Sequence, residues 1–199
     1  MRQTRLLLAC LLPLLPARAL AGDLASLLAR GPVLVVEYDD KGRFSQATAV
    51  LEIHAPPEKV WPAIVDFANY KKVFPKVVES SAVDVARTPS VKATQRVADV
   101  TLEIETPGTN TEYTFRYTID DGAHEASAHW LKGDLKGSRL AWKVTGDAKK
   151  SLVEYTLASK NYSSLAETFE DDQQTITVGI NVSAAVAAAK AVKRVAEAK

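Results

Sequence analysis

Sulfur is nearly absent from this 199-residue sequence, which contains one cysteine, Cys10, and one methionine, Met1. A single cysteine excludes an internal disulfide framework and any metal cluster held by several thiolates. Histidine is also scarce, and His124 and His129 lie five residues apart in a strand-like stretch, so their side chains face opposite sides. We therefore expect no bound metal and no other cofactor, and we assign no residue a catalytic role.

An excess of positive charge is also missing. The chain has 25 lysine and arginine residues against 24 acidic ones, which gives a formal net charge of +1 at pH 7. Basic residues are nowhere interleaved with aromatic ones in a patch. Because nucleic-acid binding requires concentrated positive charge, we do not expect a nucleic acid among the partners.

Residues 1–21 predict a cleavable export signal. Arg2 and Arg5 precede an apolar stretch at 6–15, and Ala19-Leu20-Ala21 supplies the small residues that a signal peptidase needs. The stretch is too short for a membrane-spanning helix, which needs about 20 apolar residues. Cleavage after Ala21 removes three arginines, leaving 22 basic residues against 24 acidic ones, and we expect a periplasmic protein.

A lipoprotein signal is the rival interpretation, because Leu7-Leu8-Ala9-Cys10 loosely resembles a lipobox. Only four residues separate Arg5 from Cys10, too few for the apolar region of such a signal. Lipid anchoring at Cys10 is therefore not expected.

Turn residues divide the remaining sequence into recognisable elements. A short amphipathic helix at 23–30 is followed by a predicted hairpin of two strands, 33–38 and 45–53. Short alternating runs from 77 to 157 are separated by glycine, proline and aspartate about every dozen residues, as is typical of an antiparallel meander. Apolar residues at helical spacing then predict a long helix from about 171 to 199. These elements predict one α+β domain, a curved antiparallel sheet wrapped around the C-terminal helix.

The alternation predicts a large aromatic inner face on the sheet, opposite a helix rich in alanine. Two interpretations stay open on the residues alone. Either the helix lies close and the aromatic rings fill the core, or the small helix face leaves a cavity for an apolar ligand. The candidate cavity residues are Arg96, Leu102, Ile104, Tyr113, Phe115, Tyr117, Trp130, Leu140, Trp142, Tyr155, Ala185 and Ala189.

Arg96 is the candidate polar residue of this inner face. It shares strand parity with Leu102, which would point its side chain inward to orient a polar ligand head. Residues 97–98 interrupt the alternation, however, and an outward-pointing arginine is the favoured interpretation. Glu103 and Glu105 share the opposite face of the same strand. We place them on the solvated surface rather than in an acid/base site.

The stretch APPEKVWPAIVDFANYKKVFP at 55–75, followed by VVESSAVDV at 77–85, resembles the START-like, polyketide cyclase/coenzyme-Q-binding superfamily. This helix-grip group includes the birch-pollen allergen fold. GDLKGSRLAWKVT at 133–145 is similar to the penultimate strands of the family. The resemblance covers residues 33–199, and its matching positions are Ala55, Pro56, Glu58, Val60, Trp61, Asp66, Phe67, Tyr70 and Pro75.

The resemblance implies a helix-grip domain at 45–199, with two short helices after the first family strand, and an N-terminal extension at 22–44 of the kind found on exported bacterial members. In this superfamily the two helices close one end of the gripped cavity. The residues implied for this lid are Trp61, Pro62, Phe67, Tyr70 and Phe74. Pro62 departs from the more regular helix of the family and is expected to kink it.

The leading functional hypothesis is an exported, non-enzymatic protein that binds or transports a hydrophobic small molecule, such as a lipid, isoprenoid, quinone or sterol-like compound. The alternative is a cyclase or aromatase that acts on a polyketide-like chain, with only Arg96 and the tyrosines as inward acid/base candidates. A third possibility is an accessory protein with a vestigial cavity. Further partners to consider are a membrane protein and a membrane surface, the latter through the basic end of the last helix, formed by Lys190, Lys193, Arg194 and Lys199.

Overall fold

A computed structural model of the protein describes residues 24–74, 76–85, 95–106, 110–159 and 173–198. The predicted signal peptide, including Cys10, lies outside the described residues, and so do Pro75 and Lys199. A short helical segment at 24–28 precedes the first strand, within the predicted helix 23–30.

After this N-terminal segment, the described fold consists of one antiparallel sheet and three α-helices. Its strands are β1 (Val33–Tyr38), β2 (Phe44–Ile53), β3 (Val77–Val85), β4 (Gln95–Ile104), β5 (Thr111–Asp120), β6 (Glu125–Gly133), β7 (Arg139–Gly146) and β8 (Ser151–Ala158). The helices are α1 (Pro57–Val65), α2 (Tyr70–Val73) and α3 (Gln173–Ala196), with a 3₁₀ turn (Phe67–Asn69) between the first two.

The strands follow the order β1-β2-β8-β7-β6-β5-β4-β3. Strands β3 to β8 form the predicted meander, and β2 pairs with β8, which joins the beginning of the domain to its end. The sheet curves around α3, with α1 and α2 following β2. The predicted α+β helix-grip fold is confirmed.

Helix α3 packs mainly on β2 and β8. Ala185, Ala189 and Val192 are fully buried in this contact, and the small alanine side chains bring the helix close to the sheet. Gln174–Ala196 is long and apolar enough to cross a membrane, a property that the central helix of a soluble core also has. In this structure α3 packs against the sheet.

Two basic residues pin the C-terminal end of α3. Lys193 Nζ donates a hydrogen bond to the Glu52 carbonyl oxygen at 2.8 Å, and an Arg194 guanidinium nitrogen donates to the Val73 carbonyl oxygen at 2.7 Å. These two side chains therefore connect α3 to β2 and to α2. They are part of the scaffold and not simply a solvated basic face.

Helix α1 begins where proline favours a helix start, at Pro57, and buries Val60 and Ile64 completely. Pro62 lies on the exposed side of the helix. The helix continues for three residues beyond Pro62, whose carbonyl oxygen accepts the Asp66 backbone N–H. The proline therefore does not end the helix.

The turn after β5 anchors α1 through one carboxylate. Trp61 Nε1 and Arg96 Nε each donate a hydrogen bond of 2.8 Å to a different oxygen of Asp121. The Trp61 ring also lies 5.5 Å from the His124 ring, centroid to centroid. This arrangement, which we call the Asp121 anchor, closes one end of the sheet against α1.

Replacing Asp121 by alanine is expected to lower the free energy of unfolding by about 1 kcal/mol at pH 7, because Trp61 and Arg96 lose their shared acceptor. The hydrogen bonds from Arg96 and then Trp61 lower the pKa of the Asp121 carboxyl. Its stabilising effect is therefore present above about pH 4 and is lost as the pH falls below that value. Urea unfolding at pH 7 and pH 3 measures both effects, with Asp121→Asn as the uncharged control. An equal cost at both pH values would contradict the anchor.

Candidate ligand-binding cavity

A cavity of about 250 Å³ lies between one flank of α3 and the inner faces of β4, β5, β7 and β8. It exists because α3 packs mainly on β2 and β8, which leaves the inner side chains of the other strands uncovered by the helix. The lining residues are Tyr70, Phe74, Lys76, Val77, Leu102, Ile104, Tyr113, Phe115, Tyr117, Leu135, Ser138, Leu140, Trp142, Tyr155, Leu157, Ser159, Ala184, Ala187 and Ala188.

Paired aromatic rings form the wall on the sheet side. Trp142 and Tyr155 face each other across β7 and β8, stacked with ring centroids 4.0 Å apart. Tyr113 and Phe115 meet edge to face at 5.2 Å on β5. Such pairs contribute about 0.5–1.5 kcal/mol beyond their burial, so they stabilise the arrangement of the rings in this wall.

Helix α2 supplies the wall at the other side through Tyr70, which interacts with Tyr117 of β5. The Tyr70 hydroxyl donates to the Ile64 carbonyl oxygen, and the hydroxyls of Tyr70 and Tyr117 hydrogen-bond to each other. Burial raises the pKa of both tyrosines well above the usual value. Both hydroxyls are thus neutral at physiological pH, and this hydrogen-bonded chain holds α2 against the sheet.

The loop between β6 and β7 forms one edge of the cavity and is braced by Trp130. The indole Nε1 donates to the carbonyl oxygens of Gly133 and Asp134, at 3.0 Å and 2.9 Å. Leu135, which lines the cavity, has a φ of 62°, a conformation uncommon for a bulky side chain. Such local strain persists only where the surrounding structure supports it, and the indole bonds give that support.

Of the residues that the sequence nominates, ten lie together around the cavity. From the cavity set these are Leu102, Ile104, Tyr113, Phe115, Tyr117, Leu140, Trp142 and Tyr155, and from the lid set Tyr70 and Phe74. That any of them contacts a ligand stays a prediction.

Four nominated cavity residues do not line the cavity. Arg96 has the inward parity expected, but it lies at the far end of β4 and pairs with Asp121. Trp130 turns its indole to the β6–β7 loop. Ala185 and Ala189 face β2 and β8, since successive residues of a helix point about 100° apart. The alanines on the cavity flank are Ala184, Ala187 and Ala188.

Three nominated lid residues also lie outside the lining. Trp61 belongs to the Asp121 anchor, and Pro62 faces away from the core. Phe67 is buried behind the wall, where its ring contacts those of Tyr70 and Tyr117 at 5.3 Å and 4.7 Å. Helix α2 therefore faces the cavity, whereas α1 covers the core beside it.

Sequence reasoning missed several lining residues. Leu157 continues the alternation of β8, so this pattern could have predicted it as a lining residue. Lys76 stands at the rim and pairs with Glu105 at 2.7 Å, a contact that no spacing predicts. Ser138 and Ser159 lie just outside strands, where periodicity carries no signal. The remaining omissions are Val77, Leu135, Ala184, Ala187 and Ala188.

Comparison with known proteins identifies the family. Residues 53–178 match the model of the family described as polyketide cyclase / dehydrase and lipid transport. The chain belongs to this family. The match confirms the resemblance to the START-like superfamily noted above. A search of curated proteins finds no match.

Solved structures with the same fold include three of interest. Protein TTHA0849 from Thermus thermophilus is 16% identical, with a TM-score of 0.58 over 76% of this chain and 96% of its own. The ZhuI aromatase/cyclase from Streptomyces sp. R1128 is 16% identical, with a TM-score of 0.57 over 76% and 93%. A START superfamily protein from Mycobacterium smegmatis is 14% identical, with a TM-score of 0.54 over 77% and 97%. At these identities the likeness concerns the fold alone.

Gly133 at the end of β6 and Gly137 in the β6–β7 loop offer a matched pair of glycine substitutions. Gly133 and Gly137 both have positive φ, 82° and 77°, but a Cβ at Gly133 would lie 2.5 Å from the Glu112 carbonyl oxygen, whereas one at Gly137 meets nothing within 4 Å. We expect Gly133→Ala to lower the free energy of unfolding by about 2–4 kcal/mol and Gly137→Ala by about 1 kcal/mol. Chemical unfolding followed by tryptophan fluorescence measures the free energy of unfolding of both variants. Equal losses would show that Gly133 does not lie close against the Glu112 backbone.

Proposed function

We propose that this protein binds a compact hydrophobic molecule in the cavity and carries it outside the cytoplasm. The observation that supports the proposal is the cavity lining, which is aromatic and aliphatic on the sheet side and methyl-sized on the helix side. Ligand sites of proteins are predominantly apolar concavities with few polar groups, and this cavity fits that description. The family description, which includes lipid transport, agrees with it.

The volume of the cavity limits the size of the ligand that it can hold. At about 250 Å³ it lies just below the usual range of about 300–1,000 Å³ for small-molecule sites. This volume favours one ring system or a single short chain over a lipid with two acyl chains. Among the compounds considered, a quinone-like or other cyclic molecule therefore fits better than a whole phospholipid.

A cyclase or aromatase is the competing function, since the family description also names polyketide cyclases. Such an enzyme needs a group that accepts or donates protons at the substrate. Arg96 does not line the cavity, and burial keeps Tyr70 and Tyr117 protonated, so neither is available to accept a proton from a substrate. Lys76 is at the rim in an ion pair with Glu105. The geometry of the described residues thus favours binding over catalysis.

Export is part of the proposal and is supported by the sequence of residues 1–21. An exported carrier of an apolar molecule loads and unloads at a membrane surface or at a membrane protein, so we include such a partner. Intact-mass spectrometry of the protein from the periplasm of its own host is expected to show a chain that begins at Gly22. An uncleaved chain confined to the cytoplasm would contradict export and leave the cavity proposal standing.

Filling the cavity from the helix side tests binding. Ala188→Phe places a ring where the lining now has a methyl group, whereas Ser183→Phe places the same ring on an exposed position of the same helix. We expect the apolar dye N-phenyl-1-naphthylamine to bind the wild-type protein and Ser183→Phe alike, and Ala188→Phe about tenfold more weakly or not at all. Fluorescence titration measures this. Equal binding by all three proteins would place the dye elsewhere and overturn the proposal.

A further inference from the structure

A pair of serine hydroxyls forms a polar spot in the wall of the cavity. Ser138 ends the β6–β7 loop and Ser159 follows β8, and both line the cavity. Their hydroxyl oxygens are 2.5 Å apart, and the residues are only 2% and 1% exposed. We call these two residues the serine pair.

The serine pair has one proton more than its own hydrogen bond uses. Two hydroxyls carry two protons, and the bond between them takes one. The other hydrogen bonds at these residues use backbone atoms. The Ser159 N–H and carbonyl bond the Asn181 side chain, while the Ser138 N–H and carbonyl bond Leu135 and Trp130. Across the described ranges of the chain, no acceptor takes the second hydroxyl proton.

A buried hydroxyl donor without an acceptor is unfavourable, so native proteins rarely leave one. Among the residues that the structure describes, the neighbours of the serine pair in the lining are the apolar side chains of Leu135, Leu140 and Leu157, which supply no acceptor. The tyrosines of the opposite wall differ, since the protons of Tyr70 and Tyr117 are used within the protein. Of these two hydroxyl pairs, only the serines retain a donor for the cavity.

We propose that the serine pair donates one hydrogen bond to an oxygen acceptor on the ligand and thereby selects the ligand class. That class is a compact, mostly apolar molecule that carries a carbonyl oxygen at the end lying between the β6–β7 loop and the end of β8. The inference rests on the proposed function, because the donor faces the same cavity. A site that offers a buried donor discriminates against an analogue that lacks the acceptor.

Two isosteric probes test this inference without knowledge of the natural ligand. 2-Acetylnaphthalene and 2-isopropenylnaphthalene have the same shape, and only the first has a carbonyl oxygen. We expect the wild-type protein to bind the acetyl compound about five- to tenfold more tightly, as measured by competition with N-phenyl-1-naphthylamine. The wild-type comparison depends on no substitution. Equal affinities would overturn the inference while leaving the proposed function intact.

The double variant Ser138→Ala/Ser159→Ala assigns the preference to the serine pair. It keeps the backbone atoms that Asn181 holds, and we expect the preference for the acetyl compound to fall below about twofold. Ser151→Ala is the matched control, because Ser151 is equally buried on β8 but donates to the Ala55 carbonyl oxygen away from the cavity. This control is expected to keep the full preference.

Three other outcomes of these experiments would overturn the inference. A preference that persists in the double variant would assign recognition to another donor and overturn the inference. If the dye binds the wild-type protein but neither probe displaces it, the inference fails and the proposed function stands; if the dye does not bind either, both fail.

Discussion

The position of α3 is the constraint on which the rest of the structure depends. One helix cannot cover the inner face of eight strands, and α3 lies mainly against β2 and β8, where Ala185 and Ala189 bring it close. The aromatic side chains of the remaining strands must then face something else. Helix α1 covers them at one end, and the cavity occupies the space that is left.

Three groups of polar contacts keep this space from collapsing. The Asp121 anchor holds α1 at the end of β5, and Lys193 and Arg194 hold the C-terminal end of α3. Asn181, fully buried within α3, bonds both the N–H and the carbonyl of Ser159. The helix is therefore fixed at two points along its length, and it cannot slide toward the uncovered strands without breaking these bonds.

Much of the fold could be predicted because it follows from periodicity. Alternation within 77–157 predicts the strands of the meander, and the parity of Tyr113, Phe115 and Tyr117 places them on the inner face of β5, where they lie. The cavity was less predictable, since its lining depends on how α3 is rotated about its axis, which decides between Ala185 and Ala188. Arg96 shows a second limit of prediction from periodicity. Parity alone left the direction of its side chain open, and only the tertiary structure shows that Asp121 holds it at the far end of β4.

The central claim is that an apolar molecule occupies the cavity, and the most direct measurement is identification of what the protein carries. The wild-type protein and Ala188→Phe, both purified from the native host, can be extracted with organic solvent and analysed by mass spectrometry. We expect one compact apolar compound, in near-equal molar amount with the wild-type protein and strongly reduced in the variant. An extract without such a compound, or equal amounts from both proteins, would contradict the claim.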